Sequence, residues 1–442
     1  MRPLYFILKI VLNYSLRLYH KRNINVNSPK GFHNRTIYAS NHPSSFMDPL
    51  IIAVRNKSIV HFMTRGDIYK GIMKPIFWSA HMLPIYRNHD GDDAVKKNQK
   101  VFDIAAKELR KGKSIIMFAE GFTDDKFIRR LKPVKKGSVR LGFDALDKCN
   151  WKKKIYIQPV GLNYTHPKEF RSETLISYGN KICLNDYQSE YQENSGKIIT
   201  ELTKTIEVGM REQITHVENI AWCDLHEGIM SLTRKGMNNE NKDERIPLKK
   251  RWKYSKELAL WMNNVKDEAL INKLDELKKD ITDYFQLLKK SKLEERFIYE
   301  YATQHKISLV KNYLLLIFGF PIALLGFIHG APLYFFLKQK IEKAFKRDVF
   351  WSSVKMVAGM MLAGFYNIIY IFIIYYFIYP SWGIAIAYYF LVPGAAFVVF
   401  HYWWHNLGEI KLRKALQGKD LNKFTARRQA LLSKVEQTIP VA

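Results

Sequence analysis

Ser40-Asn41-His42-Pro43-Ser44-Ser45-Phe46-Met47-Asp48-Pro49 follows one short apolar run, Thr36-Ile37-Tyr38-Ala39, and leads into another, Leu50-Ile51-Ile52-Ala53-Val54. The first run predicts a buried strand and the second a helix, so a histidine falls where a strand ends. Pro43 disfavours the α region for His42 and points to an extended or turning backbone there. Asp48 follows near the first turn of the helix. An imidazole at the carboxyl end of a strand, with a carboxylate close enough to orient it, has the geometry of a general base. Ser45-x-x-Asp48 also fits a capping box, in which Asp48 only ties off helix N–H groups. At about 100° per helical residue the two side chains can meet only if His42 lies outside the helix.

The surrounding pattern, from about 30 to 215, is α/β. Strand candidates lie at 36–39, 59–63, 114–118, 155–160 and 175–178, with helical stretches such as 92–111 and 136–145 between them. This alternation predicts a mixed, largely parallel sheet covered by helices. Sites in such sheets gather at the carboxyl ends of strands. Those ends read Asn41-His42, then Glu120-Gly121, then Gly161-Leu162-Asn163. Arg129, Arg130, Lys132, Lys135, Lys136 and Arg140 crowd the approach to the third, and Arg87 follows the apolar turn Pro84-Ile85-Tyr86. Solvated charge is the ordinary explanation of such residues. A guanidinium beside a catalytic cleft is also what grips a phosphate at two points. Gly137 reads as opening a helix whose N–H groups would add to anion binding.

The 442-residue chain carries 70 Lys and Arg against 41 Asp and Glu, a formal charge of +29, which calls for an anionic partner. Long, nearly uncharged runs at 313–337, 356–379 and 382–404 choose a phospholipid membrane over nucleic acid. Tyr313, Tyr379, Trp382, Trp403 and Trp404 at their ends form an aromatic belt. Residues 1–22 read as a helix lying in the membrane interface, with Arg2, Lys9, Asn13, Arg17 and His20 as a cationic stripe beside a wide apolar face. An ordinary core helix is the alternative. Residues 216–310 read as a polar helical arm and 411–442 as a basic cytoplasmic tail. Loop 338–355 has six basic residues against Glu342 and Asp348, and 411–434 has eight against Asp420. Both are expected in the cytoplasm. Runs 356–379 and 382–404 then make a hairpin turning at Pro380-Ser381. Run 313–337, broken by Pro321, Gly326, Gly330 and Pro332, is expected to re-enter on one face. Three widely spaced cysteines, Cys149, Cys183 and Cys223, give neither a disulfide framework nor a metal site. The GxGxxG, P-loop, HExxH and GxSxG patterns do not occur.

Four blocks in order resemble the glycerolipid acyltransferase family, whose members acylate glycerol 3-phosphate or lysophosphatidate. They are Asn41-His42-Pro43-Ser44-Ser45-Phe46-Met47-Asp48-Pro49, Leu83-Pro84-Ile85-Tyr86-Arg87, Met117-Phe118-Ala119-Glu120-Gly121-Phe122-Thr123 continuing to Lys136-Gly137, and Ile157-Gln158-Pro159-Val160-Gly161-Leu162-Asn163-Tyr164. Five residues separate His42 from Asp48 where the family's commonest block has four, which resembles the branch of fungal-type glycerol-3-phosphate acyltransferases. Phe118-Ala119-Glu120-Gly121 stands where Phe-Pro-Glu-Gly is usual.

The resemblance implies a membrane-bound O-acyltransferase with its catalytic domain facing the cytoplasm. It would move a fatty acyl group from acyl-CoA or acyl carrier protein, as co-substrate, to glycerol 3-phosphate or lysophosphatidate, with no cofactor or metal. His42 would take the proton from the acceptor hydroxyl and Asp48 would orient the ring. Arg87, Glu120, Gly121, Arg130 and Lys136 would hold the acceptor. Donors near the first and fourth blocks, with Asn41, Ser44, Gly161 and Asn163 as candidates, would stabilise the oxyanion. The same chemistry on an aminolipid or another lysophospholipid, and a non-catalytic scaffold gripping anionic lipid, are the competing readings.

Overall fold

The computed structural model describes residues 3–31, 34–71, 73–86, 93–241, 245–304 and 306–441, and it divides into two units, Met1–Glu218 and Asn219–Ala442.

The first unit is built on strands β1 (Arg22–Val26), β2 (Thr36–Ser40), β3 (Val60–Arg65), β4 (Met82–Ile85), β5 (Ser114–Phe118), β6 (Tyr156–Tyr164), β7 (Glu173–Tyr178) and β8 (Ile182–Cys183). Their order is β1-β7-β6-β2-β5-β3-β4, with β8 also on β6. Strands β4, β3, β5, β2 and β6 run parallel, so their carboxyl ends share one edge of the sheet. β7 returns antiparallel along β6, and β1 lies parallel to β7. The sheet is thus mixed and largely parallel, as the alternation of strands and helices predicts.

Alternation along each strand assigns the two faces. Ile37 and Ala39 of β2 join Ile115 and Ile157 in a core completed by α4 (Ala94–Arg110), α5 (Gly137–Asp147) and α6 (Gln188–Gln213). Helix α4 presents Val101, Ala105 and Leu109 to that core at one-turn spacing and keeps Lys97, Lys100 and Lys107 in solvent. Tyr38 points to the opposite face, where its hydroxyl donates to the Asn56 side chain just past α2 (Met47–Arg55). Helix α1 (Pro3–Tyr19) packs beside α2 there, and α3 (Met73–Ser79) precedes β4.

Three strands are absent from the sequence expectation. β1 alternates Ile24 and Val26 with Asn23 and Asn25, too polar to read as buried, and it pairs on one side only as the sheet edge. β4 contains Pro84, which an edge strand tolerates. β8 has two residues. Helix α1 turns part of its polar stripe toward the protein. Lys9 turns inward and donates to the Asn56 carbonyl, and His20 is buried, whereas Leu4, Phe6, Ile7, Ile10 and Tyr14 face outward. Lys9 and His20 of the polar stripe thus meet the protein, whereas Arg17 and much of the apolar face are exposed.

The second unit is helical: α7 (Cys223–Thr233), α8 (Leu248–Asn263), α9 (Glu268–Lys290), α10 (Glu295–Gln304), α11 (Val310–Ala344), α12 (Trp351–Ile373), α13 (Trp382–Leu416) and α14 (Asn422–Thr438). The basic tail is not free. Arg428 of α14 reaches the buried Glu295 and the Leu232 carbonyl, and Arg234 completes the cluster from the other side of Glu295.

Among the described residues, Val310–Ala344, Asp348–Ile378 and Trp382–Leu416 are long and apolar enough to cross a membrane. Pro321 and Pro332 sit inside the residues of helix α11. The helix is bent. The Asn312 amide bonds the Asn406 side chain, and the Trp403 indole donates to the Leu316 carbonyl. Farther along, His329 bonds Tyr388, and then Phe335 meets Trp404 with ring centroids 6.0 Å apart. A straight helix would carry Phe335 about 35 Å from Asn312. Trp404 and Asn406 lie within one turn of α13, so α11 must fold back between them. Missing N–H groups and ring clashes at proline give the cause. Gly326 and Gly330 are close contact points with α13: a Cβ there would strike the Ala396 carbonyl oxygen at 2.1 Å and the Phe397 ring at 2.5 Å.

Candidate active site

The loop from β2 to α2 opens at the shared carboxyl edge. Asn41 fixes its start, donating to the Leu162 carbonyl at 3.0 Å and accepting the Leu162 N–H at 2.8 Å, which stitches the loop to β6. Ser44 donates its hydroxyl to the Pro167 carbonyl at 3.0 Å. Ser45 takes a left-handed conformation, φ 49°, and turns the chain into α2. His42 is thereby outside the helix while Asp48 lies in its first turn, and the two meet. His42 Nδ1 is 2.8 Å from Asp48 Oδ2.

Asp48 is fully buried and held by three donors. Oδ2 also accepts the Ser44 N–H at 2.8 Å, and Oδ1 accepts the Tyr164 hydroxyl at 2.7 Å. With donors on both oxygens the carboxylate acts as acceptor only, which puts the Nδ1 proton of His42 in the shared bond. Nε2 is then the nitrogen presented to an incoming hydroxyl. The His42 ring lies flat on Phe118, centroids 3.9 Å apart and planes 14° apart, and its side chain is 19% exposed. Access and orientation are both provided. A capping box is not formed: Phe46 occupies the cap position without a side-chain bond, and Asp48 accepts from Ser44 instead of Ser45.

Glu120 approaches from the end of β5 and holds the same loop by its backbone. Its Oε2 accepts the His42 N–H at 2.9 Å and its Oε1 accepts the Lys132 N–H at 3.0 Å. Burial pushes the Glu120 carboxyl above its ordinary value, opposed by the Lys132 ammonium at 3.6 Å. Gly121, at φ +81°, lets the chain turn and leaves room for Lys135, whose amine would stand 2.6 Å from a Cβ there. The Leu131 N–H donates to His216 Nδ1 at 2.9 Å, and burial holds that imidazole down to about 4, a neutral acceptor.

Other sequence candidates are placed apart from the dyad or committed elsewhere. Arg87 lies outside the described residues, immediately after β4 and Tyr86. Arg130 is exposed, and Lys136 reaches the Thr200 hydroxyl of α6 at 2.8 Å; among the described residues no contact joins either to the dyad. Asn163 donates to the Gln213 carbonyl at 3.0 Å and accepts the Thr215 N–H at 3.2 Å. Gly161 lies against the Gln213 backbone. The side chains of Asn41 and Ser44 hold the loop to Leu162 and Pro167, while Gly161 and Asn163 meet the end of α6. Among the described residues no group of three or more His, Cys, Asp or Glu is arranged to hold a metal ion.

Sequence reasoning missed Tyr164, the stacked Phe118 and the loop contacts of Lys135. All three are in or beside the quoted blocks, but nothing in spacing alone brings Tyr164 to Asp48 across 116 positions. Arg129 was grouped with the surface cations. It is buried, donating to the Tyr164 carbonyl at 3.0 Å.

Residues 17–163 match the family model described as Acyltransferase. Over 313 residues the chain is 24% identical to glycerol-3-phosphate O-acyltransferase 1 of Saccharomyces cerevisiae. That match covers 65% of this chain and 39% of the yeast protein's length. Among solved structures it is similar to the 1-acyl-sn-glycerophosphate (LPA) acyltransferase PlsC of Thermotoga maritima, with 17% identity and a TM-score of 0.31, over 46% of this chain and 79% of that one.

Proposed function

We propose, from the match of residues 17–163 to the acyltransferase family model, that the chain is a membrane-bound O-acyltransferase of phospholipid synthesis. It takes a fatty acyl group from acyl-CoA or acyl carrier protein and places it on a hydroxyl of glycerol 3-phosphate or lysophosphatidate. The observation that carries this reading is the 2.8 Å bond between His42 and a fully buried Asp48 at the carboxyl edge of a largely parallel sheet.

His42 Nε2 takes the acceptor's hydroxyl proton as the oxygen attacks the thioester carbonyl. Asp48 stabilises the imidazolium that forms. Collapse of the tetrahedral intermediate expels the thiolate, which takes the proton back from His42. No enzyme nucleophile or metal is needed for this balance. Glu120 keeps His42 in place through the backbone, a role that suits an acid better than contact with phosphate. Arg87, with Arg130 and Lys136, is assigned the acceptor's phosphate from the sequence blocks. Lys135, lying over Gly121 beside Glu120, supports a cationic surround at that point. Positive loops at 338–355 and 411–434 support a catalytic domain facing the cytoplasm.

Purified protein in lipid, given labelled acyl-CoA and a panel of acceptors, tests the reading with products identified by mass. His42→Ala should lower turnover by at least ~100-fold while the protein stays folded. Near-normal turnover in that variant would overturn the mechanism. Arg87→Ala should raise the Michaelis constant for a phosphorylated acceptor far more than for the acyl donor. Equal effects on both would make Arg87 structural.

A further inference from the structure

We propose that Tyr164 is a positioning residue for acyl transfer, its phenol holding the Asp48 carboxylate in the orientation that aligns His42. The inference rests on the general-base reading of His42.

The two oxygens of Asp48 divide their work. Oδ2 receives His42 Nδ1 and the Ser44 N–H, each at 2.8 Å, and Oδ1 receives the Tyr164 hydroxyl at 2.7 Å. Tyr164 is the last residue of β6 and is fully buried. Its backbone is fixed by Arg129, which donates to its carbonyl, and its ring lies against the buried His20, centroids 6.1 Å apart. The hydroxyl therefore has a rigid base. Burial and the neighbouring Asp48 charge push the phenol well above its ordinary value, so it remains a donor throughout the working range of pH.

Without that donor, Oδ1 would be a buried charged oxygen with one partner removed. The carboxylate would rotate away from Nδ1 or bind a proton more readily. Rotation weakens alignment, and the less stabilised carboxylate charge raises the proton affinity of the dyad as a unit. A better donor should have the reverse effect.

The test is the pH profile of kcat for Tyr164→Phe and for protein carrying 3-fluorotyrosine at position 164, measured in lipid with acyl-CoA and the preferred acceptor. Tyr164→Phe should lower kcat about tenfold with both KM values unchanged. The acid limb of its profile should move up by about half a unit or more. The fluorinated side chain, a stronger donor, should move that limb down. In an Asp48→Asn background Tyr164→Phe should cause no further loss. An unmoved acid limb with only a lower Tm, or a fully additive loss with Asp48→Asn, would overturn the proposal. Should Tyr164→Phe fail to fold, the fluorotyrosine profile decides alone. His42→Ala, assayed beside these, separates the two levels: retained turnover there overturns the base reading and this one with it. Lost turnover with an unmoved Tyr164 limb overturns only this one.

Discussion

Asp48 was the ambiguous residue, because a carboxylate in the first turn of a helix is as often a cap as a catalytic partner. Its bonds run to His42, Ser44 and Tyr164, and not to the Ser45 N–H that a capping box would use. Asn caps a helix about as well as Asp, so a purely capping role predicts little change in stability or rate for Asp48→Asn. Asp48→Asn is expected instead to cut turnover at least ~10-fold, since an amide placed among three donors must turn an N–H toward one of them. Rate and melting temperature measured together on the variant distinguish these. His20 supports a second expectation. Burial, with Arg171 and Arg55 nearby, holds its imidazole down to about 3, so it folds neutral. Between an unfolded value of about 6.5 and that folded value the unfolded chain binds the extra proton, so stability rises with pH and is lost as pH falls below the unfolded value. At pH 5 the loss is about 2 kcal/mol for this group. Melting curves from pH 7.5 to 5 should show a shallower decline for His20→Gln than for the parent.

Strand β6 has the tightest backbone fit in the first unit. A Cβ on Gly161 would come within 2.1 Å of the Gln213 carbonyl oxygen, a backbone atom at the end of α6 that cannot swing aside. Gly161→Ala is expected to destabilise the unit by about 1–3 kcal/mol, read as a lowered melting temperature. The fold's legibility in the sequence follows the same logic of burial. Central strands β2, β5 and β6, covered on both faces, show as apolar runs, whereas β1 with Asn23 and Asn25 and β4 with Pro84 lie at the edges and carry weaker patterns. His42 and Asp48 could be found because both belong to one short loop and its helix. Tyr164 could not, because its contact depends on β6 lying beside β2, which only the assembled sheet provides. Pro321 and Pro332 of α11 lie in the stretch over which its contacts with α13 change direction. In a long apolar helix packed against a neighbour they bend the rod without ending it.

For the membrane region taken together, the contacts of α11 place Asn312 and Phe335 beside nearly the same turn of α13, and Tyr375 stacks on Trp382 at the opposite end of the α12–α13 pair, centroids 4.1 Å apart. On this geometry, cysteines at Lys306 and Lys346 should be labelled from one side of the membrane and a cysteine at Tyr379 from the other. Labelling of the first two from opposite faces would make α11 a full span. The bend has a mechanical consequence for the lipid itself. A helix that enters and leaves through one leaflet displaces lipid from that leaflet alone, while the α12–α13 hairpin displaces it equally from both. With α11 seated that way, the membrane region displaces more lipid from the leaflet of its basic loops, and its insertion relieves packing stress where that leaflet is stretched. It should therefore enrich in small vesicles over large ones of the same composition when reconstituted with its basic loops outward.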